Sequence, residues 1–445
     1  MESPTDHTSH KRFLEAEGLR PMMLFFWSLV VGSLVGLVGG LFQLSLISLT
    51  TWYETFVASF QAMPVASWMF PTVFSAVTVY IAFYLVRRFA PETGGSGVHE
   101  IEGALDDLRP LRWHRVLPVK FFGGIFSLSG GLVLGREGPT IQMGGNIGKM
   151  IGDLFHLAEE DVHTLIAAGA GAGLAAAFNA PLAGILFVIE EMRPQFKYNF
   201  LSVHSVLIAC AMSDIVLRLL MGQAPDIEMV MVPPPPLASL WLFPVLGVIF
   251  GVFGVVFNQL LVKTLDFFAN MTGWRYALTG VYVGGAIGLL GAFFPNTVGG
   301  GYTVIPHALH QSIPLGLLLV FFFARFGTTM ISYGSGAPGG IFAPMLALAT
   351  VFGVWSGHFA HEWFPTLISH PQIFAVAGMG ALFSATVRAP LTGIALTIEM
   401  TQNYTLILPL ILTCMVAAMV AQGLGGRPIY TVLLKRTLDR AQQGS

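Results

Sequence analysis

The chain has 445 residues, of which 54% are hydrophobic and only 10% are Asp, Glu, Lys or Arg. A soluble domain carries about 25% charged residues, so this chain cannot clothe a water-facing surface and most of its surface must face lipid. The formal net charge of -2 argues against nucleic-acid binding, which needs a basic patch. Cys210 and Cys414 both lie in apolar segments and read as packing residues, not as a disulfide or metal pair.

Residues 1–20 are polar and lack a secretory apolar core. They read as a short tail, with Lys11, Arg12 and Arg20 flanking a first span that starts near residue 21. The stretches 21–50, 68–90, 238–262 and 404–424 are long enough to cross a bilayer. The stretches 116–134, 140–155, 164–179, 181–190, 338–353 and 389–399 are short and broken by Gly or Pro. A segment of roughly 10 to 14 apolar residues does not cross a bilayer core. Backbone polar groups at such breaks must be buried in protein or line a watery path. The pattern predicts an all-α polytopic membrane protein of tilted and re-entrant helices. Lys435, Arg436 and Arg440 follow the last span, so basic residues at both ends place both termini in the cytoplasm.

An internal repeat runs through the chain. GAGAGLAAAFNAPLAGILFVIEEM (169–192) aligns without gaps on GMGALFSATVRAPLTGIALTIEMT (378–401), at an offset of 209. A weaker echo pairs GREGP (135–139) with GSGAP (334–338). VPPPPL (232–237) reads as a rigid linker between two halves. The expected division is a tail at 1–20, a first membrane repeat at 21–231, the linker at 232–237, a second repeat at 238–430 and a tail at 431–445. Gly/Pro-interrupted helices at matching places in two repeats point to a transporter's binding site. Close helix packing through small residues is the plainer alternative.

GGSGVHE (94–100), LGREGPT (134–140) and APGGIFAPM (337–345) sit at such breaks, and Tyr430 stands alone beyond the last apolar stretch. A helix beginning after each break points free N–H groups and its positive dipole end into the gap. That geometry holds an anion without a full positive charge, and conduction needs binding weak enough to release the ion. Ser96 and Tyr430 each offer one hydroxyl donor. No ring of carboxylates lines these stretches, which argues against a cation pore.

With GSGVH (95–99), GREGP (135–139), GGIFAP (339–344) and Tyr430 in this order, the chain resembles the CLC chloride channel and transporter family, in particular its bacterial chloride/proton exchangers. The resemblance covers about residues 20–440. It implies about 18 membrane helices in two inverted halves, and a homodimer in the bacterial inner membrane. Each subunit would hold its own pore, with chloride as cargo and no cofactor, metal or enzymatic activity. It casts Ser96, Ile341, Phe342 and Tyr430 as the chloride site, Glu137 as the outer gating glutamate and Glu191 as the inner proton acceptor.

Ionised Glu137 is itself an anion, able to occupy a site built for chloride until protonation removes its charge. Intramembrane carboxylates are functional candidates by default; the alternative here is a buried ion pair. Arg136 reads as structural, because sequence neighbours do not face each other on a helix. Glu190 recurs as Glu399 in the repeat and reads as a helix cap, whereas Glu191 aligns with Met400. From residues alone Glu191 is either a one-sided functional acid or a solvated helix end. Glu102 and Lys120 are expected to pair. His99 stands where relatives carry Pro, either harmlessly or with an effect on anion affinity or pH dependence.

Four other readings compete. GGSG (94–97) fits the GxSG pattern of intramembrane serine proteases but leaves the repeat and GREGP unexplained. HEIEG (99–103) has Gly103 where a zinc motif needs its second His. A passive chloride channel on the same fold differs from an exchanger chiefly at Glu191, and an exchanger for another anion remains a variant.

Overall fold

Inside a bilayer every backbone N–H and C=O must find a partner within the protein, and this chain does so with helices. The computed structural model describes residues 6–59, 64–192, 196–227, 229, 231–310 and 313–443. The first half holds α1 (Asp6–Ser59), α2 (Pro64–Phe89), α3 (Val98–Leu105), α4 (Trp113–Ser129), α5 (Glu137–Leu154), α6 (Glu159–Phe178), α7 (Pro181–Glu190) and α8 (Phe200–Met221). The second holds α9 (Leu242–Ala269), α10 (Gly273–Ala277), α11 (Thr279–Phe293), α12 (Val304–His310), α13 (Leu315–Gly334) and α14 (Phe342–Trp363). It ends with α15 (Gln372–Val387), α16 (Pro390–Thr401), α17 (Ile407–Gly423) and α18 (Ile429–Gln443). Among the described residues the only β pairing is two isolated bridges.

Among the described residues eight helices, α1, α2, α6, α8, α9, α13, α14 and α17, are long and apolar enough to cross a membrane. The expected tail is not separate from the first span: α1 begins at Asp6 and runs on through Pro21. At that junction Arg20 pairs with Glu160 and Asp161, each at 2.9 Å. The expected tail at 431–445 likewise begins within α18, which packs on α3.

The repeated segments fold alike. Asn179 (φ 52°) ends α6 and Arg388 (φ 74°) ends α15, both left-handed. Each chain then passes through Ala180 or Ala389 into a proline that starts α7 or α16. Proline suits that place, because its φ is helical and its missing N–H is not needed there.

α7 and α16 pack against each other and exchange caps. Glu190, at the end of α7, accepts from the Leu391 and Thr392 amides at the start of α16, at 3.0 and 2.8 Å. Glu399, near the end of α16, accepts from the Leu182 and Ala183 amides of α7 at 3.0 and 2.7 Å. Each carboxylate meets the free N–H groups and positive dipole end of the other helix. The exchange requires the two repeats to run antiparallel, as inverted halves do. The cap expected for Glu190 and Glu399 is what these side chains form.

Other packing obeys the same symmetry. α1 lies on α8 at Gly32, and α9 lies on α17 at Gly247. A Cβ at either glycine would stand 2.4 Å from the Ala209 oxygen or 2.7 Å from the Thr413 oxygen, so only glycine permits the approach. Cys210 and Cys414 are buried free thiols, each beside a helix glycine, Gly171 or Gly380. They are packing residues, as expected. The GREGP–GSGAP echo fares differently. α5 starts at Glu137 and α14 at Phe342, 342 minus 137 or 205 residues later, so the 199-residue echo misses the helix start. GGIFAP is the spatial counterpart of GREGP.

The reciprocal caps predict matched effects. Glu190→Ala and Glu399→Ala should each lower stability by about 1 to 2 kcal/mol, read as a fall in the unfolding midpoint of detergent-purified protein. A loss confined to one of them would contradict a symmetric pair.

Candidate functional site

The three glycine-rich breaks are tied together by backbone bonds. Gly135 and Gly340 exchange both N–H···O=C bonds, at 2.9 and 2.8 Å. Gly95 donates to the Ala337 oxygen at 3.1 Å and accepts from the Gly339 amide at 3.0 Å. These bridges satisfy backbone groups that lipid would leave unpaired. Positive φ at Gly95 (64°) and Gly97 (84°) turns the chain tightly enough to present Ser96 at the start of α3, a conformation only glycine adopts freely.

Lys120 does not pair with Glu102 as expected. Its ammonium donates to the carbonyls of Thr93 and Gly95 at 2.9 and 2.7 Å. Those oxygens belong to the irregular turn before α3, and a three-donor ammonium is what they lack. Glu102 is buried, and its Oε1 has no hydrogen-bond partner among the described residues.

Four helix starts converge on one buried point. Ile341 caps α14 and Phe342 is its first residue. Glu137 opens α5 and reaches across, so that Oε1 accepts from the Phe342 amide at 2.6 Å. Its Oε2 has no partner among the described residues. Tyr430, the second residue of α18, lies with its ring 5.9 Å from that of Phe342. The Tyr430 and Ser96 hydroxyls are both buried, and neither makes a hydrogen bond of good geometry among the described residues. Ser96, Ile341, Phe342 and Tyr430 are all 0% exposed. An unmet buried polar group costs about 1 to 3 kcal/mol, and each of these hydroxyls is free to donate to a ligand that accepts hydrogen bonds. Chloride fits that donor set.

The cradle depends on glycine. A Cβ on Gly340 would stand 2.2 Å from Glu137 Oε1, and one on Gly135 would stand 2.0 Å from Oε2. A Cβ on Gly138 would meet the Ser96 hydroxyl at 2.8 Å and Gly340 Cα at 2.9 Å. The signal for these contacts was in the sequence as runs of glycine, but their mutual contact was not.

Glu191 sits apart from that point, as the C-cap of α7. Phe187, one turn earlier, packs its ring 6.1 Å from that of Phe342, so α7 connects the Glu191 end to the anion site. His99 is buried as the second residue of α3, with Nδ1 unpartnered and Nε2 3.9 Å from Glu100. Arg136 points away from Glu137's carboxylate. It donates to the Ala177 oxygen at 2.8 Å and to Asp226 at 2.6 Å. That partner was missed, since Asp226 is 90 residues away and nothing in its surroundings marks it. The protease reading fails at Ser96, whose hydroxyl bonds neither a His nor a carboxylate.

Gly340→Ala should expel the Glu137 carboxylate from the Phe342 amide. An experimental structure of the variant at neutral pH checks this, and a retained bond near 2.6 Å would contradict the cradle.

The chain was compared with known proteins. The family model described as "Voltage gated chloride channel" matches residues 78–422. The H(+)/Cl(-) exchange transporter ClcA of Vibrio cholerae serotype O1 is 53% identical over 426 residues, covering 94% of this chain and 90% of the relative. The protein of the same name from Klebsiella pneumoniae is 50% identical over 430 residues, covering 95% and 90%. The crystal structure of a slow cyanobacterial Cl-/H+ antiporter superposes with a TM-score of 0.92 at 45% identity, covering 95% of this chain and 99% of that one. A CLC-type fluoride/proton antiporter, at 21% identity and a TM-score of 0.74 over 92% and 97% of the two chains, shares the fold. With three glycine-rich motifs and Tyr430 gathered at one buried point and relatives matching over nearly its whole length, the chain belongs to the voltage-gated chloride channel family.

Proposed function

We propose that this protein is a secondary active transporter that exchanges chloride for protons. The bond from the Phe342 amide to Glu137 carries the reading. A carboxylate occupies the position a transported anion would take at a helix start, where N–H groups and the dipole favour negative charge. Chloride and ionised Glu137 then compete for one place. Protonated Glu137 has lost its charge and its preference for the amide, so it leaves and chloride enters. One group thereby gates the anion and carries the proton, which ties the two fluxes together.

Ser96, Ile341, Phe342 and Tyr430 are assigned to chloride, with the two backbone amides and two hydroxyls as donors. Glu191 is assigned as the inner proton acceptor. Two observations support it: the α16 cap is made by Glu190 and not by Glu191, and the repeat has apolar Met400 in the place of Glu191. An acid at this position favours the exchanger over a passive channel. The names of the Vibrio and Klebsiella relatives agree. We further assign residues 21–231 and 238–430 to the two repeats joined by 232–237, a homodimer in the bacterial inner membrane, and both termini to the cytoplasm.

Liposome transport tests the assignment. Protonation frees the anion site, so chloride flux should rise as pH falls. Glu137→Gln, always neutral, should carry chloride with no pH dependence and move no protons. Glu191→Gln should keep chloride flux and lose proton movement. Proton movement persisting in Glu191→Gln would remove Glu191 from the path.

A further inference from the structure

Arg136 immediately precedes the gating carboxylate and caps the helix that carries it. Its guanidinium is gripped on three sides. It donates to Asp226 at 2.6 Å, donates to the Ala177 oxygen at 2.8 Å, and lies over the Tyr302 ring at 4.5 Å from the centroid. Asp226 belongs to no helix, yet it is fixed on both sides. Ala224 accepts from the Asn179 side chain at 3.1 Å, and the Ile227 amide donates to the Met400 oxygen at 3.1 Å. Tyr302 follows Gly301, where a Cβ would stand 2.6 Å from that of Ala347 in α14. Asp226 Oδ2 and the Tyr302 hydroxyl are buried and make no hydrogen bond of good geometry among the described residues, and both residues line a small cavity shared with Ala343 in the first turn of α14. The cluster therefore touches α5 through Arg136 and α14 through Ala343. Those two helices hold Glu137 and the amide it binds.

We propose that Asp226 and Tyr302 are positioning residues that set how firmly Glu137 occupies the anion site, acting through the Arg136 guanidinium they hold. The proposal rests on Glu137 being the gate. A fixed guanidinium fixes the cap of α5, and hence the angle at which Glu137 leaves the helix toward Phe342. Loosening the grip lets the α5 start shift relative to α14, and the carboxylate loses alignment with the amide.

The test uses the full chain in liposomes and reads the chloride concentration giving half-maximal flux. Asp226→Asn and Tyr302→Leu are each measured alone and combined with Glu137→Gln. Residues coupled through a shared network commonly interact enough to shift such a constant roughly 3- to 30-fold, and we expect that shift in the single variants. In the Glu137→Gln background the shift should disappear, because the group being positioned is no longer a competing anion. Equal shifts in both backgrounds, or none in either, would overturn the proposal and leave the cluster a purely structural clamp. Tyr302→Leu introduces no unpaired charge and carries the test if Asp226→Asn does not fold. Should Glu137→Gln alone leave proton movement intact, the gate itself is misassigned, which is a separate failure from that of the clamp.

Discussion

A single hydrogen bond, from the backbone amide of Phe342 to the carboxylate of Glu137, is the interaction on which the rest of this molecule turns. The site that makes it has no formal positive charge. Three buried cations were available to hold an anion, and all are engaged elsewhere. Arg136 binds Asp226 and the Ala177 carbonyl. Lys120 binds the carbonyls of Thr93 and Gly95. Arg325 binds the carbonyls of Asn296, Val298 and Gly299. What remains at the site is amides, hydroxyls and a helix dipole. Such partial charges hold an anion firmly enough to select it and loosely enough to exchange it. A full cation there would favour a permanent ion pair.

The inverted repeat supplies this site with its geometry. Two re-entrant helices, α7 and α16, stop within the protein and cap each other through Glu190 and Glu399. The same arrangement brings the starts of α5 and α14 face to face, where Gly135 and Gly340 bridge them. Function then comes from where the symmetry breaks. Glu137 opens α5 while Phe342 opens α14, so one half supplies the competing carboxylate and the other supplies the amide. Glu191 against Met400 breaks it again at the far end of α7.

Much of this was legible beforehand. Charge depletion and broken apolar stretches gave a polytopic helical protein, because a bilayer leaves a backbone few alternatives. The gap-free APL repeat gave the inverted pair, and the residues that repeat, such as Glu190, proved structural. The breaks marked by glycine are the segments that meet, through Gly95, Gly135, Gly339 and Gly340. Long-range partners stayed hidden. Asp226 and Tyr302 meet Arg136 through tertiary packing, and no local periodicity encodes that. Lys120 looked like half of an ion pair because side-chain charges are visible in a sequence, while unsatisfied carbonyls are not. The 199-residue echo misled because short glycine motifs match by composition, whereas helix starts are set by backbone geometry.

Competition between Glu137 and chloride can be measured as a linkage between chloride binding and protons. Chloride would be titrated into purified protein in a calorimeter, at one pH, in two buffers of different ionisation enthalpy. If chloride displaces an ionised Glu137 that then takes up a proton, the apparent binding enthalpy differs between buffers and reports proton uptake, and Glu137→Gln abolishes the difference. Chloride binding to the unaltered protein with identical enthalpy in both buffers would mean that the ion and the carboxylate do not share the site.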